Sequence, residues 1–152
     1  MSELEKLHLE FYKSGVLTLP EDESERKEAA HTLIGGTLVS CTDDWIKQAE
    51  RTLQSHEEFV EFTEEQKTAV LALISNTAYG ALYSQCVEID YSNLEINLIE
   101  RDEEGRSLRS TPVAGASEYD WHYGYFDWVE RFGDYYNPDS VARFKIPWVT
   151  NP

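Results

Sequence analysis

The chain has 152 residues, 41% of them hydrophobic, and its 29 acidic side chains against 13 basic ones give a formal charge of −16. That length suits about one domain, which buries roughly 68–70% of its unfolded surface and needs no metal or disulfide to fold. Charge of this sign and size repels nucleic acids and anionic membrane surfaces, and no run of about 18 apolar residues is present to cross a bilayer.

The first residues, Met1 to Glu5, are acidic and lack the long apolar core of a secretory signal, so none is expected. The two cysteines, Cys41 and Cys86, are far apart in sequence. They read as reduced, small apolar fillers of the elements that carry them, which suits a cytoplasmic protein.

Ser2 and Glu5 form a capping box that starts a helix with Leu4, Leu7 and Phe11 on one face, and Gly15 is its natural stop. Leu17 to Pro20 reads as an extended link, because the residue before proline leaves the helical region. The acids from Glu21 to Glu25 suit the positive end of the next helix, whose apolar positions are Ala29, Ala30, Leu33, Ile34 and Leu38. Gly35-Gly36 weakens that helix by about 1 kcal/mol per glycine relative to alanine, so the pair marks either a close helix contact or an interruption. Thr42 or Asp43 then caps a third helix with Trp45, Ile46, Ala49 and Leu53 on its buried face.

Thr63 and Gln66 form a second capping box. The helix behind it carries a broad apolar stripe of Val70, Leu71, Ile74, Ala78, Ala81 and Leu82, with Leu73 and Tyr83 outside it, and is expected at the centre of the domain. The period then changes. Leu94, Ile96 and Leu98 alternate with polar residues as in a half-buried strand. Asp102 to Arg106 is a turn with Gly105 available for positive φ, and a second strand follows from about Ser107 to Val113. Residues around Ile89 are a candidate third strand.

The chain holds four Trp, nine Tyr and six Phe, and nine of these rings lie between residues 117 and 136. Ser117 with Asp120 resembles a capping motif and Gly133 a stop, so the segment reads as a helix with Gly124 as a weak point. On it Trp121, Tyr125, Trp128 and Phe132 stack at i, i+4, i+7 and i+11 and face the core. Tyr119, Tyr123 and Phe126 form a second set on the other side, with Asp120, Asp127 and Glu130 beside them. One helix cannot bury both sets against one core. The tail, where Phe144, Ile146 and Trp148 alternate, another copy of the chain, or a partner is expected to cover the second. The fold class expected is α+β: a mainly helical single domain over residues 1–152 with a small antiparallel hairpin late in the chain and an aromatic C-terminal helix.

The chemical motifs are sparse. His8, His31, His56 and His122 show no metal-ligand spacing, and His122 with Asp120 is an i, i+2 pair whose side chains do not face each other. Gly35-Gly36 lacks the lysine of a phosphate loop, and neither cysteine sits in a Cys-x-x-Cys pair. No metal, cofactor or catalytic residue is therefore expected. The composition suits a non-catalytic acidic protein that docks on a basic protein, as small immunity proteins dock on basic toxins and as nucleic-acid mimics dock on nucleic-acid-binding proteins, an analogy of composition alone. Candidate contacts are Tyr119, Asp120, Tyr123, Phe126, Asp127 and Glu130, with Asp102, Glu103 and Glu104 as a second patch. The alternatives are a small enzyme or ligand binder using an aromatic cleft over residues 119–132, and a homodimer closed through the same rings.

Overall fold

The computed structural model describes residues 1–13, 15–92, 94–114 and 121–138. Among these the order is α1 (Glu3–Phe11), β1 (Tyr12–Lys13), β2 (Val16–Leu17), α2 (Glu23–Ser55), a 3-10 turn (Glu57–Phe59), α3 (Glu64–Tyr91), β3 (Ile96–Arg101), β4 (Ser107–Ala114) and α4 (Trp121–Phe132). The mainly helical α+β class is as expected. The capping motif at Ser117 and Asp120 and the tail strand at 141–148 lie outside the described residues.

Both capping boxes form. Ser2 and Thr63 each accept from the backbone N–H three residues on, while Glu5 and Gln66 reach back to the cap N–H. α1 stops at Phe11, short of Gly15, because the chain turns at once into the β1–β2 hairpin, and Gly15 supplies the positive φ (81°) of that turn.

α2 corrects two expectations. It is one unbroken helix of 33 residues, about 50 Å long, capped by Asp22 on the N–H groups of Ser24 and Glu25. No helix starts at Thr42 or Asp43, because both side chains have other partners. Thr42 Oγ1 donates to the Leu38 carbonyl at 2.9 Å, and the buried Asp43 accepts from the Tyr79 hydroxyl of α3. The glycine pair does not interrupt the helix; it is the close contact. A Cβ at Gly35 would overlap the Trp128 indole, and one at Gly36 would lie 2.8 Å from Leu4 Cδ1 and 3.1 Å from the Phe132 ring.

α2, rather than α3, is the central element. It packs against α1, α3, α4 and β4 and buries Ala30, Leu33, Val39, Ile46 and Leu53. α3 is apolar around much of its circumference, yet Leu73 and Ala81 face solvent, because only one side of it meets α2 and α4. Trp45, expected on the buried face of α2, is 77% exposed. The buried row runs through Val39, Asp43 and Ile46, and Trp45 lies about 100° around from Ile46. The cysteines divide likewise: both are free, Cys86 buried and Cys41 exposed, so only Cys86 fills a core position. Burial pushes the Cys86 thiol up to about 12.

β3 and β4 pair antiparallel from Ile96↔Ala114 to Arg101↔Ser107, around a turn in which Gly105 has φ 80°. Ile89 belongs to α3, which runs on to Tyr91, and exposed Leu94 precedes the strand, so neither extends the sheet. The inward face of β3 carries Ile96 and Leu98 and then, two residues on, the buried Glu100. Burial works to raise the Glu100 carboxyl, but Arg109 at 2.5 and 2.8 Å and the Leu19 N–H at 3.0 Å hold it below its usual range. Arg109 also reaches Glu21 and the Leu19 carbonyl, both at 3.1 Å, which clasps the hairpin to the link before α2.

Candidate functional site: the two faces of α4

α4 is held by carboxylates at both ends. Asp90, in the last turn of α3, accepts from the N–H groups of Trp121 (2.9 Å) and His122 (2.7 Å), satisfying helix-start donors from another element. The same carboxylate meets His122 Nδ1 at 2.5 Å. Beyond the C-terminal end, Asp43 accepts from the N–H of Asp134 at 2.8 Å. The Tyr135 hydroxyl donates to Glu50 at 2.6 Å, and Tyr136 meets Tyr79 edge to face at 5.7 Å. Desolvation raises the Asp43 carboxyl above its ordinary range, partly countered by the Tyr79 hydroxyl and the Asp134 N–H.

The inner face is core. Trp121, Tyr125, Trp128 and Val129 are buried, and Phe132 is half-buried against them. Trp121 Nε1 donates to the Val113 carbonyl at 2.5 Å, Tyr125 donates to the Tyr79 carbonyl at 3.1 Å, and the two indoles meet edge to face at 5.6 Å. Gly124 is not a weak point but a second close approach: a Cβ there would overlap the His31 imidazole and lie 2.8 Å from Trp128 Cζ2. The same burial holds His31 neutral by lowering its pKa to about 4.

The outer face carries Tyr123, Phe126, Asp127 and Glu130, all exposed, Tyr123 by 71% and Phe126 by 49%. Pairs three and four residues apart, Tyr123 with Phe126 and Asp127, and Glu130 with the same two, set them in one stripe about 100° wide. Phe126 leans on Tyr83 and Tyr125, with centroids 5.6 and 5.2 Å away, so one side of its ring is fixed and the other is open. Tyr91, at the end of α3 and 80% exposed, continues the stripe across the helix junction. Its ring stacks on His122 at 6.2 Å, and His122 lies 4.1 Å from Tyr123. The structure therefore brings together four of the expected contacts and adds Tyr91 and His122; Tyr119 and Asp120 lie outside the described residues.

The second expected patch stands apart. The hairpin turn lies at the far end of β4 from the Val113 carbonyl, roughly 20 Å along the strands. Asp102 accepts from the N–H groups of Glu104 and Arg106 and pairs with the Arg106 guanidinium at 2.7 Å, and Glu104 pairs with Arg106 as well. Two of its three acids thus hold the turn, and Glu103 projects into solvent.

Concavities among the described residues lie elsewhere. A polar cavity of about 280 Å³ sits between α1, α2 and the end of α4, bordered by Asp43, Asp44, Lys47 and Arg131. A shallow apolar groove of about 430 Å³ runs between α2 and α3 past Leu38, Cys41, Trp45 and Ala78. Neither is lined by His122 or Asp90. Among the described residues no group of three His, Cys, Asp or Glu side chains is placed to hold a metal ion, and no helix is long and apolar enough to cross a membrane. Comparison with protein families, curated proteins and solved structures gives no match.

Proposed function

We propose that this protein is an acidic binding protein whose outer α4 stripe docks on a basic protein partner, of the kind that toxins and nucleic-acid-binding proteins exemplify. The supporting observation is the composition of that stripe: two exposed rings and two exposed carboxylates, contiguous on a helix whose other face is locked into the core. Tyrosine and phenylalanine bury much area at little entropic cost, and a helix already fixed at both ends loses little further freedom on docking. The net charge of −16 steers a cationic partner and raises its rate of encounter. The same charge opposes a symmetric contact through this face, since a second copy would set carboxylates against carboxylates.

The test is affinity capture from the native cell at about 50 mM salt, with identification of the basic protein released as salt rises to about 500 mM. It is repeated with a Tyr123→Ala, Phe126→Ala, Asp127→Asn variant. The reading expects one basic protein to be held by the parent and lost by the variant. Capture equally strong from both, or unaffected by salt, contradicts it.

A further inference from the structure

The molecule contains a worked example of the contact proposed for its partner. At the C-terminal end of α4 the Arg131 guanidinium lies 5.0 Å from the centre of the Phe132 ring. Its N–H groups reach Glu3 at 2.7 and 3.1 Å and Asp127 at 3.4 Å. One arginine thus sits over a ring and hydrogen-bonds two carboxylates at once.

Each exposed ring of the outer stripe has an exposed acid about one helical turn away. Asp127 lies four residues after Tyr123, Glu130 four after Phe126, and Glu88 three before Tyr91, and all three acids are exposed. Residues three and four apart on a helix are surface neighbours, about 5–6 Å between Cβ atoms. That spacing lets a planar cation lie over the ring while its edge meets the carboxylate. The guanidinium is flat, weakly hydrated and carries five N–H donors in a fork. A lysine ammonium is a compact, strongly hydrated point charge and cannot use face and edge together.

Resting on the reading that the partner is a basic protein, we propose that it engages this stripe through arginine rather than lysine, each guanidinium stacked on Tyr91, Tyr123 or Phe126 and hydrogen-bonded to the acid one turn away. The surface then selects among polycations of equal charge, which long-range attraction alone does not do.

The test titrates the full chain with hexa-arginine and hexa-lysine at about 50 mM salt, reading affinity by calorimetry and ring proton shifts by NMR. Hexa-arginine is expected to bind about tenfold more tightly, with shifts at Tyr91, Tyr123 and Phe126. A Tyr91→Leu, Tyr123→Leu, Phe126→Leu variant keeps apolar bulk without aromatic faces, and in it the preference should collapse to near unity. Equal affinities in the parent overturn the arginine proposal and leave the basic-partner reading standing. A preference that survives in the leucine variant overturns the assignment to these rings. Binding of neither peptide, together with no basic protein captured, overturns both.

Discussion

The inner and outer faces of α4 are built from the same kinds of side chain and lead different lives. Trp121, Tyr125 and Trp128 face α2 and α3, where Gly35 gives the indole of Trp128 room and carbonyls take up the Trp121 and Tyr125 polar hydrogens. Tyr123 and Phe126 face outward with carboxylates beside them. Placement on the helix, rather than residue type, separates structural rings from rings available to a ligand.

The contrast is sharpest under truncation. Trp128→Ala should cost about 3–5 kcal/mol in urea or thermal unfolding, since it removes a buried ring and leaves a notch lined by Gly35. Gly35→Ala should also destabilise, because the added methyl meets the indole with no room to relax. A loss below about 1 kcal/mol for Trp128→Ala would mean that α4 is not locked in place.

Asp90→Ala comes next, with an expected loss of about 1–3 kcal/mol, because two N–H groups at the start of α4 lose their acceptor. Its second readout is the outer face: the His122 ring loses its tether, so the ring-current shifts of Tyr91 and Tyr123 should change.

Asp43→Asn isolates the other end of the helix. The folded-state pKa of Asp43 is raised by desolvation, so the folded chain binds this proton more tightly than the unfolded chain does. The stability this contributes is fully present below the unfolded pKa, about 4, and is lost as pH rises through the folded value. The parent should therefore gain on the Asn variant as pH falls from 7 toward 4. A difference flat across that range would assign the raised carboxyl to the wrong residue. The smallest stability effect belongs to the outer face, where Tyr123→Ala should shift unfolding by less than about 0.5 kcal/mol.

Much of this contrast is legible in the sequence. The i, i+4, i+7, i+11 spacing identifies the inward stripe, and Tyr123 and Phe126, left off it, are exposed. Both capping boxes and the hairpin turn are read from local chemistry that tertiary contacts do not override. What escapes is long-range. Asp90 lies 31 residues before Trp121, and nothing local marks it as the acceptor for another helix. Tyr91 is hidden because Ile89, β-branched and near a change of period, suggests a strand where α3 continues. Thr42 and Asp43 look like a helix start because their usual role is capping; Asp43 is instead the acceptor for Tyr79, a partner 36 residues away. Trp45 misleads by spacing, since it stands in register with Ile46, Ala49 and Leu53 in an apolar series, yet its angular position on α2 turns it to solvent.

The Asp43 carboxylate has one more consequence. It joins residues of α2, α3 and the segment after α4, three places distant in the chain, through one side chain. The Asp134 amide lies in an exposed residue outside any helix or strand, where hydrogen exchange with deuterium is ordinarily fast. Tied to a buried acceptor, it should instead exchange as slowly as amides within the helices, giving a single probe of whether all three segments come apart together.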